Sequence, residues 1–165
     1  RAPLVIVLAV SLTACFWKKK EEPAPSLQTE TIRWVISADS QLNPDENGRP
    51  SPVLVRLYQL KSISGFAASD FFSIYEDPDT VLAKDMSYSE ERILAPGQTL
   101  EIEAEAGPSA RYLAAVVAYR DIQKSTWRAT VDLTSTGEGP VLMDIGPNRV
   151  SFRAAAPQPA PADSE

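Results

Sequence analysis

Trp127-Arg128-Ala129-Thr130-Val131-Asp132-Leu133 alternates apolar and polar side chains without a break. Side chains of an extended strand leave on alternate faces, whereas a helix repeats about every 3.6 residues, so a strict period of two marks a strand with one buried face. The same period recurs on either side of this stretch. Ile32, Trp34 and Ile36 alternate with Thr31, Arg33 and Val35, and Leu100, Ile102 and Ala104 alternate with Glu101, Glu103 and Glu105. The latter has one apolar and one fully charged face, as expected of a strand with solvent on one side. Val53 to Leu60 and Met86 to Leu94 read as further strands, the second ended by Ala95-Pro96-Gly97. Tyr112 to Arg120 is almost continuously apolar, which predicts a central strand buried on both faces. Val141 to Ile145 and Arg149 to Phe152, split by Gly146-Pro147, complete the set. Only Gly65 to Tyr75 departs from the pattern. Its apolar residues recur at helical spacing and predict one short amphipathic helix, stopped by Asp77-Pro78-Asp79, which caps a further turn through Leu82. The expectation is a mainly β chain: a two-sheet antiparallel β-sandwich with a short helical insertion between the second and third strands, its sheets packed around Trp34, Val116 and Trp127.

The two ends of the chain are of different character. Residues 1–14 carry Arg1, the apolar run Leu4 to Val10, and Leu12-Thr13-Ala14 before the sole cysteine, Cys15. An apolar segment this short does not span a bilayer, and small residues before a cysteine read as a bacterial lipoprotein signal, cut between Ala14 and Cys15 with lipid added to the thiol. No methionine begins the run, so the n-region is expected to be incomplete. Residues 15–28 continue through Lys18-Lys19-Lys20-Glu21-Glu22 into a proline-bearing polar stretch, a flexible tether. From Phe16 to Gln28 it reaches about 40 Å when extended. Residues 29–153 form the sandwich domain, and residues 154–165, rich in Ala, Pro and acid, read as a disordered tail.

Composition excludes much chemistry. The chain has no histidine, so a Ser-His-Asp triad, histidine-ligated zinc and imidazole acid-base catalysis are unavailable. With Cys15 lipidated, no thiol remains for catalysis or a disulfide, and the net charge of −6 argues against nucleic-acid binding. The carboxylates Glu90-Glu91 and Glu101, Glu103 and Glu105 are compatible with glycoside hydrolysis, but on a solvent face they read more simply as solubilising charge. Asn43-Pro44-Asp45-Glu46-Asn47-Gly48 imitates the start of an EF-hand, yet the twelfth position is Leu54, where a bidentate glutamate is required. It reads instead as a turn-rich surface loop. From Ala38 to Pro52 it spends about fifteen residues where a hairpin needs two to five, and loops of that length tend to carry function.

The lipoprotein signal, Val55-Arg56-Leu57-Tyr58-Gln59-Leu60, Phe66 with Asp70-Phe71, Leu94-Ala95-Pro96-Gly97, and Ala118-Tyr119-Arg120-Asp121 followed by Trp127-Arg128 together resemble the TssJ (SciN) outer-membrane lipoproteins of type VI secretion systems. The resemblance spans about Ile32 to Leu133. It implies a transthyretin-like β-sandwich anchored in the outer membrane, facing the periplasm, that holds the periplasmic domain of TssM. It also implies that the loop between the first two strands makes that contact, here Leu42, Asn43, Pro44, Asp45, Glu46, Asn47, Gly48, Arg49 and Pro50. Within it, Asp45 and Glu46 are expected to steer the partner, and Leu42 or Pro44 to supply apolar area. Arg56, Tyr58, Tyr119, Arg120, Trp127 and Arg128 are expected to serve the fold. The absence of aspartate after Cys15, where Phe16 stands, favours export to the outer membrane.

The expected activity is therefore non-enzymatic: a lipid-anchored structural subunit with TssM and outer-membrane lipid as partners, no small-molecule substrate, no metal, and no cofactor beyond the covalent lipid on Cys15. Two alternatives stay open. A periplasmic small-molecule or metal-binding lipoprotein would need a concave pocket with convergent polar groups, and a lipoprotein enzyme acting on cell-wall glycans would need two facing carboxylates.

Overall fold

The structure, a computed structural model, describes residues 30–136 and 139–153. The signal, Ala14, Cys15, the tether and the tail lie outside the described residues. Eight strands and three short helices follow in the order β1 (Thr31–Ala38), β2 (Val53–Leu60), α1 (Ser64–Ala68), α2 (Phe71–Glu76), α3 (Pro78–Val81), β3 (Met86–Leu94), β4 (Thr99–Glu105), β5 (Tyr112–Val117), β6 (Arg128–Asp132), β7 (Val141–Ile145) and β8 (Val150–Arg153). They form two four-stranded sheets, ordered β4-β1-β7-β8 and β3-β2-β5-β6. The sandwich and the place of its helical insertion match the expectation.

Between the sheets lies a core built from alternate positions: Trp34 and Ile36 of β1, Val55 and Leu57 of β2, Leu113, Ala115 and Val117 of β5, and Met143 and Ile145 of β7. On β4, Ile102 and Ala104 turn inward while Glu101, Glu103 and Glu105 stay exposed, and Arg33 reaches across from β1 to Glu103 at 2.9 Å. The opposite side of the second sheet carries a second apolar layer, in which Tyr58, Leu60, Ala114 and Val116 pack beneath Phe66, Ile74 and Leu82 of the helical insertion. Two covered faces explain the unbroken apolar run of β5.

Four expectations change. The sandwich is not wholly antiparallel, because β1 pairs in parallel with β7, Trp34 opposite Val141 and Ile36 opposite Met143. Val116 faces the helices rather than the inter-sheet core. The single helix over Gly65 to Tyr75 is two, since Ser69 is extended and the Asp70 side chain accepts from the Ser73 amide at 3.0 Å, starting a new N-terminus. Finally, β6 is half-buried through most of its length rather than cleanly two-faced. It lies at a sheet edge, where Arg128 folds inward to donate to the carbonyls of Phe66 at 2.9 Å and Ser69 at 2.6 Å. These are carbonyls at the end of α1, which the helix itself leaves without donors. Arg56 does the same for the Tyr75 carbonyl of α2 while pairing with Glu91 at 2.7 Å, so both arginines serve the fold as expected.

Along one side, Thr126 bridges Arg149 and links the connection before β6 to the turn before β8. Edges β3 and β4 are exposed, and there Glu90 and Arg92, on the same face as buried Leu94, pair with each other. A charged pair on an edge strand opposes edge-to-edge aggregation.

Candidate partner-binding site

Residues 39–52 leave the top of β1 and return into β2 as a narrow finger whose backbone is hydrogen-bonded along its length. Ser51 N–H donates to the Leu42 carbonyl at 2.9 Å, Asp45 N–H to Arg49 at 2.9 Å, and Gly48 N–H to Asp45 at 2.9 Å. The tip closes because Gly48 takes φ 76°, a conformation open to glycine without steric penalty. This is a built element rather than slack connection.

Its base is tied to the other three connections at the same end of the sandwich. Gly97 N–H donates to the Asp39 carbonyl at 3.1 Å, and Asn43 N–H to the Pro147 carbonyl at 3.1 Å. The Asn43 side chain supplies the third tie, accepting from Arg120 N–H at 2.8 Å and donating to the Pro52 carbonyl at 3.1 Å. Asn43 is buried and holds φ 46°, which asparagine tolerates better than most residues.

The nine residues assigned to this site therefore divide by role. Leu42 is fully buried in the inter-sheet core and cannot offer apolar area to a partner; Asn43 is an internal staple. Asp45 is not a free steering charge either. Its carboxylate accepts from the amides of Asn47 and Arg49 at 2.9 Å each and from Arg49 Nε at 2.8 Å. The Arg49 amide, then its guanidinium, hold the Asp45 carboxyl below its ordinary range. Pro44, Glu46, Asn47, Gly48, Arg49 and Pro50 form the exposed surface. Tyr119, expected to serve the fold, is buried with its hydroxyl donating to the Gly146 carbonyl at 3.2 Å, and burial pushes that hydroxyl's pKa upward.

The contact the sequence reading missed is Asn43 to Arg120. The Asn43-Pro44 dipeptide signals a turn, but its partner lies 77 residues away, and nothing local marks it.

Elsewhere, Glu90 and Glu91 point to opposite faces of β3, Glu90 toward Tyr88 and Arg92 and Glu91 toward Arg56. They do not face one another. An open cleft of about 480 Å³ lies at the far end of the sandwich, lined by Glu30, Ile32, Ala106, Leu133 and Val141 among others. Among the described residues no cluster of three or more acidic, cysteine or histidine side chains is arranged to hold a metal.

Against known proteins, the model of the type VI secretion lipoprotein family (VasD, EvfM, TssJ) matches residues 30–148. No curated protein matches. Among solved structures, the type VI secretion lipoprotein TssJ1 of Pseudomonas aeruginosa is similar at 29% identity, covering 79% of this chain and 99% of that one, with TM-score 0.71. Lip of Serratia marcescens, described as a membrane-bound component of the type VI secretion system, aligns at 24% identity over 78% of this chain and 99% of its own, with TM-score 0.69. A chain from a structure described as the TssM C-terminal domain from EAEC aligns at 22% identity over 74% and 97%, with TM-score 0.64. The last two show the fold. The family is one of secretion lipoproteins, not of enzymes. With most of the described domain inside the family match, the chain belongs to the type VI secretion lipoproteins of the VasD, EvfM and TssJ family.

Proposed function

We propose that this chain is a lipid-anchored structural subunit of the type VI secretion membrane complex, holding the periplasmic part of TssM at the outer membrane without catalysis. The observation that carries this reading is the polarity of the domain. Glu30, the first described residue after the tether, leads into the start of β1, and the finger leaves the end of β1. Eight strand residues at about 3.3 Å each separate the two by about 25 Å. A lipid on Cys15 and a partner on Pro44 to Pro50 would thus sit at opposite ends of a stiff body. Residues 16–28, if fully extended, would add about 40 Å of reach. Each acyl methylene buried in the membrane contributes about 0.8 kcal/mol, so a multiply acylated Cys15 would be held there firmly.

The test has two arms. Cys15→Ser should move the protein from the membrane to the soluble periplasmic fraction with its melting temperature unchanged, and should block assembly of the secretion complex. Normal assembly by the unlipidated protein would refute the anchoring role. Replacing residues 44–50 with a tight turn, while keeping Leu42 and Asn43, should abolish pulldown of the TssM periplasmic domain. Retained pulldown would move the partner site away from the finger.

A further inference from the structure

Arg120 stands beside the finger, and its side chain enters no ion pair among the described residues. Its backbone amide is fixed by Asn43 Oδ1 at 2.8 Å, while its guanidinium is exposed and makes only a long 3.4 Å contact to Ser51 Oγ. Two of the acids nearby are already engaged. Asp45 is taken by Arg49 and two amides, and Asp121 by Lys124 at 3.1 Å. The positive charge of Arg120 is a minor aid in keeping Asp45 ionised. No carboxylate among the described residues pairs with Arg120.

The tip of the finger therefore differs from what its composition indicates. The Asp45 side chain is 17% exposed and saturated, while the Arg49 side chain paired with it is 76% exposed and points outward. The guanidinium this end leaves without a carboxylate is that of Arg120, since Arg49 is held by Asp45, while Asp39 and Glu46 are exposed acids of the same finger. The planar guanidinium fork of an arginine matches a carboxylate with two parallel hydrogen bonds, and the locked main chain fixes the point from which this side chain reaches.

We propose that Arg120 is part of the partner-binding surface, extending it from the finger to the β5–β6 connection, and that it takes a carboxylate of an acidic segment on the partner's periplasmic domain. This rests on the reading that the finger end binds that partner. Asn43 makes the two loops one surface, because the side chain that shapes the finger also sets the position of Arg120.

The experiment measures binding of the TssM periplasmic domain to the full lipidated chain in detergent at 50 and 300 mM NaCl. Wild type, Arg120→Gln, Arg120→Lys and the chain with 44–50 shortened are compared. Arg120→Gln should weaken binding about tenfold at low salt, with Arg120→Lys intermediate, the loss expected for one charge-assisted contact. It should also flatten the salt dependence, a readout that a purely structural role would not move. The hydrogen bond to Asn43 Oδ1 is donated by the Arg120 main-chain N–H, so melting temperature should not change. If Arg120→Gln binds as wild type with the same salt dependence while the shortened finger fails to bind, the Arg120 proposal is wrong and the finger reading stands. If the shortened finger binds as wild type, the finger reading fails, and with it the combined surface.

Discussion

Asn43→Ala should cost far more than a loop substitution ordinarily does. The side chain is buried, and its removal deletes the 2.8 Å bond from Arg120 N–H and the 3.1 Å bond to the Pro52 carbonyl. Each such bond contributes about 1 kcal/mol net, and more where the abandoned partner stays out of water. Alanine must also hold φ 46°, which adds about 1 kcal/mol. The sum is about 3 kcal/mol, a large share of the stability of an ordinary domain and worth a fall of about 10 °C in melting temperature. Asn43→Gly loses the same two bonds but accepts the backbone conformation, so it should recover about 1 kcal/mol relative to alanine. Urea unfolding followed by circular dichroism gives both numbers, with equal m-values for all three proteins. If alanine lies within about 0.5 kcal/mol of wild type, the staple carries nothing. If alanine and glycine are equal, the left-handed backbone is not under strain.

Two further outcomes follow from packing and charge. A Cβ at Gly107 would lie 2.5 Å from Ser87 Oγ and 2.6 Å from Ser87 Cβ, in the corner where Gln59 Oε1 accepts from Gly107 N–H at 2.6 Å. Gly107→Ala should lower stability by about 2 kcal/mol in the wild-type chain but by far less in a Ser87→Gly background, where the clashing atoms are gone; an equal cost in both backgrounds would show that the clash is not the cause. Asp45, Asp70 and Asp132 all have carboxyl pKa values held below 3.8 by hydrogen bonds from Arg49, Ser73 and Thr134 respectively, with Arg111 a lesser aid to Asp132. A folded pKa below the unfolded one stabilises above the unfolded value and is lost as pH falls through the folded value. With no histidine in the chain, the melting temperature should be flat from pH 5 to 8 and decline below about pH 4; a step near pH 6.5 would contradict this.

Much of the domain was legible in its sequence because strand faces are a local property. Ile32, Trp34 and Ile36 are buried, and Glu101, Glu103 and Glu105 exposed, where the alternation put them. The helical insertion was also visible, but not its break at Asp70, since a capping side chain and a helix interior look alike until the backbone turns. The site was legible in outline only. Length marked residues 39–52 as more than a connection, and resemblance marked them as a contact, but neither could sort Pro44 from Leu42 or a free acid from Asp45.

The strands, their faces and the family signature along them follow from the order of residues alone, because they depend on neighbours one to four residues apart. That β1 lies parallel to β7, that Val116 faces helices rather than the opposing sheet, and that Asn43 joins the finger to Arg120 emerge only once the chain has folded. Those are encounters between segments far apart in the chain, and a period of two says which way a side chain points but not what it will meet.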